Sequence, residues 1–80
     1  MSDLKKRLAA VMAKTMEVDV AEIDDDTDPD TLEAWDSMAH VQLVAELEKE
    51  FGVSISPDVA VDLESFEDIV EFLKKQGAGA

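Results

Sequence analysis

The segment from Ser37 to Phe51 constrains the fold of this chain most. Its apolar residues recur at the three- and four-residue spacing of an α-helix, and Gly52 follows where a helix C-cap glycine belongs. One side of this helix carries His40, Leu43, Val44, Leu47 and Phe51. That side has the pattern expected for burial, so the rest of the chain must supply elements that cover it.

The opposite side of the same helix carries a second, narrower apolar stripe. The stripe consists of Met38, Val41 and Ala45, and Gln42, Glu46, Glu48 and Lys49 border it. Two explanations remain open. The helix is central in a small protein and buried on both sides, or the stripe stays exposed and binds partners.

A first helix is predicted from Asp3 to Met16, with Ser2 as its N-cap. Its basic residues are interpreted as a solvated face and not as an anion site, because isolated surface charges contribute little. The apolar stripe of this helix is Leu4, Leu8, Val11, Met12 and Met16, and its basic residues are Lys5, Lys6, Arg7 and Lys14.

Two further helices are predicted after Gly52. Val53-Ser54-Ile55 has no partner run elsewhere and is interpreted as an extended connector. Ser56 and Pro57 then open a short helix that runs through Leu63. Ser65 and Asp68 form an acidic capping box for the last helix. The apolar stripe of that helix is Phe66, Ile69, Val70 and Leu73.

The residues from 17 to 36 are predicted to form a long loop with ten acidic residues and no basic one. Val18 and Val20 are scattered apolar anchors, and Ile23, Leu32 and Trp35 are expected to pin the loop to the core. The aspartates do not form an EF-hand, since the required glycine and twelfth-position glutamate are missing in either register. We predict no metal site.

These elements predict an all-α fold, a small four-helix bundle of three main helices and one short helix. The long acidic loop joins helices 1 and 2. Residues 1–80 are expected to form a single standalone domain, with 76–80 as a mobile tail.

The charge balance limits the partners. Seven basic and twenty acidic residues give a net charge of -13, which disfavours nucleic acids and anionic membranes and favours basic protein surfaces. The chain has no cysteine, so any thiol chemistry must come from an added group. It shows no signal peptide and no long apolar run, and we expect a cytoplasmic monomer.

Ser37 has three possible roles. Asp36 and Ser37 suit the N-cap and first turn of a helix. Ser37 could instead be a nucleophile activated by His40, but no glycine-flanked elbow is present, and a satisfied buried imidazole explains His40 better. A phosphate-linked modification of Ser37 is also favourable, because the first turn of a helix stabilises anions.

The pattern around Ser37 resembles the signature of acyl and peptidyl carrier proteins. The matching residues are Asp36-Ser37-Met38, Val41, Leu43-Val44, Leu47-Glu48 and Glu50-Phe51-Gly52, with Ile23-Asp24 in the loop. The resemblance covers nearly the whole chain and implies a helical carrier without catalytic residues.

The resemblance further implies that a phosphopantetheinyl transferase attaches 4′-phosphopantetheine from coenzyme A to Ser37. The thiol of that group would hold an acyl or aminoacyl group as a thioester. Partners would include a ligase that loads the acyl or aminoacyl group and downstream transferases. They would bind helix 2, the predicted helix from Ser37 to Phe51, through Met38, Val41, Ala45, Gln42, Glu46 and Glu48. The rival hypothesis is an unmodified acidic module that binds a basic partner through the same helix.

The chain departs from carriers of primary fatty-acid synthesis at several positions. Ala39 and Gln42 stand where those carriers usually have acidic residues, Lys49 dilutes the acidic patch, and Trp35 replaces a small residue. These differences favour a carrier of a specialised pathway.

Overall fold

The computed structural model describes residues 3–77, and these form a bundle of four α-helices. Helix α1 spans Asp3–Met16, α2 spans Ser37–Phe51, α3 spans Pro57–Asp62 and α4 spans Phe66–Lys75. No strand occurs within this part of the chain. The predicted fold class, three main helices and one short helix, is confirmed. The predicted N-cap Ser2 and most of the predicted mobile tail lie outside the described residues.

The core lies where α1, α2 and α4 meet. Helix α1 packs mainly against α2 and less extensively against α4. Burial follows the predicted stripes of α1 and α4, except that Val11 is only partly buried. The largest fully buried side chains are Trp35, Phe66, Leu8, Met12, Leu43, Leu47, Ile69 and Leu73. Within residues 3–77, no helix is both long and apolar enough to cross a bilayer.

The acidic loop is held by its own side chains. Ile23, Leu32 and Trp35 are buried, as predicted, but Val20 is half exposed and does not anchor the loop. Val20 belongs to a short 3₁₀ helix, Val20–Glu22, which Asp19 opens with a complete capping box. This element was not predicted, because three residues are too few to show periodicity.

Thr27 is an unpredicted anchor of the same loop. Its side chain is buried, and its hydroxyl oxygen accepts the Asp24 N–H at 2.8 Å. Its carbonyl accepts the N–H of Phe66 at 2.9 Å. The loop therefore supplies a hydrogen-bond acceptor to the first residue of α4.

Two basic residues of α1 contact the acidic loop and the end of α2. Lys5 forms an ion pair with Asp25 of the loop at 3.0 Å. Arg7 lies 4.7 Å from the ring centroid of Phe51 and donates to the Glu50 carbonyl at 3.4 Å. The prediction of a solvated face fits the exposed side chain of Lys6 but is incomplete for Lys5 and Arg7, because sequence spacing did not show these distant partners.

The ends of the later helices largely follow the sequence signals. Gly52 has φ 64°, the left-handed conformation that glycine adopts without strain. Ser56 caps α3, which ends at Asp62, one residue short of the predicted end. Ser65 caps α4, but the predicted capping box is wrong in its second bond, because the Asp68 carboxylate accepts the N–H of Glu64.

Candidate functional site

Ser37 is the first residue of α2, and its side chain is exposed. Asp36, in extended conformation, is the N-cap, and its Oδ1 accepts the Ala39 N–H at 2.8 Å. The cap therefore belongs to Asp36, and the Ser37 hydroxyl is not needed for it. Because the N-terminus of a helix carries partial positive charge, a phosphate on Ser37 would be stabilised there.

Ser37 borders an open groove of about 870 Å³. One wall is the end of the acidic loop and the other is the connection from α3 to α4. The groove is lined by Asp28, Pro29, Asp30, Trp35, Asp36, Ser37, His40, Val61, Leu63, Glu64, Ser65 and Asp68. None of these lining residues is a lysine or an arginine. A flexible arm attached to Ser37 has space beside it, next to both polar and apolar side chains.

His40 connects the end of the acidic loop to α3. The indole Nε1–H of Trp35 donates to Nδ1 of His40 at 3.0 Å, and Nε2 of His40 lies 2.8 Å from the Ala60 carbonyl oxygen. The rings of Trp35 and His40 are stacked, with centroids 6.0 Å apart and planes at 22°. A carbonyl only accepts, so the proton of the neutral imidazole is on Nε2.

This arrangement argues against Ser37 as a nucleophile activated by His40. Both ring nitrogens of His40 are engaged by other groups, so neither is available as a base toward Ser37 while these bonds hold. The interpretation of His40 as a satisfied imidazole fits these bonds, although the ring is only partly buried. Its bond to Ala60 was not predictable, since a backbone carbonyl twenty residues away leaves no sequence signal.

The second apolar stripe of α2 is exposed. Met38 and Val41 are each 70% exposed, and Ala45 is exposed as well. Of the two explanations left open by the sequence, burial of the helix on both sides is therefore wrong. Gln42, Ala45 and Glu46 continue this surface along a groove of about 600 Å³ beside α1.

Glu48 differs from the other residues predicted to face partners. Its carboxylate accepts the N–H of Ile55 at 3.0 Å and is partly buried. It therefore holds the connector after α2 in place. Val61, in contrast, is 70% exposed on α3 beside the groove and was not among the predicted candidates.

No metal centre is evident in residues 3–77. No three histidine or acidic side chains in this range are arranged to hold a metal ion. The carboxylates of the acidic loop instead accept hydrogen bonds from nearby N–H groups, as Asp24 does from Asp26 and Asp28 from Thr31.

A comparison with protein-family models gives one match that bears on this site. The model described as phosphopantetheine attachment site matches residues 6–73, which is most of the chain. The matched range includes Ser37, the groove, α2, α3 and most of α1 and α4.

Proposed function

Because this chain belongs to the phosphopantetheine attachment site family, whose members carry 4′-phosphopantetheine as a prosthetic group, we propose that Ser37 is the attachment residue. The observation that carries this assignment is the position of Ser37, exposed at the start of α2 and at the rim of the groove. Asp36 provides the helix cap, so modification of Ser37 leaves the cap intact.

The residues around Ser37 fit the group. The helix N-terminus favours the phosphodiester, and the groove of about 870 Å³ gives the arm space beside Ser37. When attached, the group supplies the thiol that this cysteine-free chain lacks. The protein's own contribution is to hold the attachment point on a rigid helix end and to offer a surface to enzymes.

That surface is the exposed stripe of α2. It begins beside Ser37 with Met38 and Val41 and continues to Ala45, and Gln42 and Glu46 lie beside it. Its predicted partners are a phosphopantetheinyl transferase, a ligase that loads an acyl or aminoacyl group, and downstream transferases. Glu48 contributes less than the sequence indicated, because its carboxylate already accepts a bond from Ile55.

The carrier is proposed to act in a specialised pathway, on its own and without catalytic residues. The support is compositional. Ala39 and Gln42 leave the first turns of α2 without the acidic residues typical of primary fatty-acid carriers, and Lys49 adds a positive charge near its end. The helices of residues 3–77 share one core, which supports a carrier that folds as one unit.

Intact-mass spectrometry after incubation with coenzyme A and a promiscuous phosphopantetheinyl transferase tests this proposal. The wild type should gain the mass of one phosphopantetheine, and Ser37→Ala should gain none. Ser54→Ala is the matched control, because Ser54 is also exposed but lies in the connector after α2. An unmodified wild type, with a known carrier modified in parallel, would support the rival hypothesis of an unmodified interaction module.

A further inference from the structure

The contacts of His40 form a brace between three parts of the chain. The brace consists of the Trp35 indole in the loop, the His40 imidazole on α2 and the Ala60 carbonyl on α3. We propose that His40 is a positioning residue for the modification of Ser37, and that its protonation in acid releases the loop immediately before Ser37. This proposal rests on the proposed function of Ser37.

The brace requires a neutral imidazole. The indole nitrogen of Trp35 can only donate, so Nδ1 of His40 must be unprotonated to accept at 3.0 Å. The Nε2–H of the same ring donates to the Ala60 carbonyl oxygen at 2.8 Å. A single tautomer therefore satisfies both contacts.

A second proton on the ring acts differently on the two contacts. It would place an N–H on Nδ1 that faces the N–H of Trp35, and the hydrogen bond to the loop would be lost. The bond from Nε2 to Ala60 would persist, because a charged donor binds a carbonyl more strongly than a neutral one. Protonation therefore breaks the hydrogen bond between α2 and the loop and keeps the hydrogen bond between α2 and α3.

The groove that His40 lines also contains other titratable groups. The carboxylates that line the groove with His40 are Asp28, Asp30 and Asp36 from the loop, Glu64 from the α3–α4 connection and Asp68 from α4. No lysine or arginine lines the groove.

The loop end is the part that responds. Trp35 is separated from Ser37 by Asp36 alone, and its side chain is 2% exposed. Apolar burial keeps the indole near the core after its hydrogen bond is lost, so the protein stays folded while the loop end gains freedom. The position of Ser37 relative to the groove wall then becomes less well defined.

NMR of the unmodified protein tests the brace without any assumption about Ser37. The imidazole ¹⁵N signals at neutral pH should show the Nε2–H tautomer. Replacement Trp35→Phe removes the N–H that faces Nδ1, so His40 should become protonated at a higher pH in this variant than in the wild type. The other tautomer, or an unchanged midpoint in Trp35→Phe, would overturn the proposal.

The release of the loop has its own readout. His40→Gln is the matched variant, because its amide can accept and donate but does not titrate. In wild type, the backbone amide signals of Trp35, Asp36 and Ser37 should shift with the titration of His40. In His40→Gln, that component should be absent and only the shifts caused by carboxylates should remain. Identical titrations in both proteins would show that the loop is not released.

Loading kinetics connect the brace to Ser37. On acidification, the KM of the transferase should rise severalfold more for wild type than for His40→Gln, with similar kcat. Equal pH responses of the two proteins would contradict a positioning role. Absence of loading in the wild type at every pH would instead contradict the proposed function, and the NMR titrations would still decide whether the brace exists. If His40→Gln fails to fold, Trp35→Phe serves as the comparison variant in the loading assay. On acidification, the KM of the transferase should then rise less for Trp35→Phe than for the wild type.

Discussion

Among single residues, the contacts around Ser37 that involve residues close in sequence could be predicted. An acidic residue before the first turn of a helix is the common N-cap, and Asp36 occupies that position with Oδ1 on the Ala39 N–H. The bonds of His40 were not predictable, since one partner is a loop indole and the other a backbone carbonyl on a different helix.

The cap at Asp36 gives a stability prediction. Asp36→Ala leaves the Ala39 N–H without its acceptor, so the free energy of unfolding should fall by about 1 kcal/mol. Chemical denaturation measures this loss. Asp36→Asn keeps a capping oxygen and should retain most of the stability. An equal loss of stability in both variants would show that α2 is stabilised by the negative charge of Asp36 and not by its hydrogen bond to the Ala39 N–H.

At the scale of elements, the four helices could be predicted because apolar periodicity and caps lie within each segment. Arrangement of the acidic loop could not be predicted in the same way. Its three large apolar residues, Ile23, Leu32 and Trp35, were predicted to hold the loop against the core, but the role of Thr27 depends on the distant Phe66 N–H. A buried threonine in a polar stretch has no distinctive pattern.

Thr27 should stabilise the loop through its hydroxyl group. Thr27→Val keeps the shape of the side chain but removes the acceptor of the Asp24 N–H, so the free energy of unfolding should fall by about 1–3 kcal/mol. Thr31→Val is the control, because Thr31 accepts the Asp28 N–H in an equivalent bond at the surface. Urea denaturation should show a smaller loss of unfolding free energy for Thr31→Val than for Thr27→Val. Equal losses would show that the buried hydroxyl of Thr27 stabilises the loop no more than the exposed hydroxyl of Thr31.

The exposed stripe of α2 should matter for binding and little for stability. Val41→Ser removes apolar surface from a side chain that is 70% exposed, so the KM of the phosphopantetheinyl transferase should rise by roughly fivefold or more. Val20→Ser makes the same change at a half-exposed position in the 3₁₀ helix. Steady-state loading assays should show a normal KM for this control. Equal increases in KM for the two variants would contradict binding of the transferase to the exposed stripe of α2.

At the scale of the whole molecule, the charge pattern and the fold act against each other. The bundle has a Cα radius of gyration of 11.2 Å and holds a sequence with a net charge of -13. Mutual repulsion among the carboxylates opposes this compactness. The ion pair of Lys5 and Asp25 is partly exposed and offsets little of the repulsion.

Salt should therefore stabilise the protein. Added sodium chloride screens the repulsion and should raise the Tm in differential scanning calorimetry, and millimolar divalent cation should do the same. The loss of one exposed ion pair is too small to reverse this effect. A Tm that stays constant or falls with salt would show that repulsion does not limit stability.

Attachment of the phosphopantetheine to Ser37 can be tested by tandem mass spectrometry of peptides from the modified protein, because fragment ions locate the added mass on one residue. We expect the mass on Ser37 and none on Ser54, Ser56 or Ser65. Location of the added mass on any of those three serines would contradict this assignment.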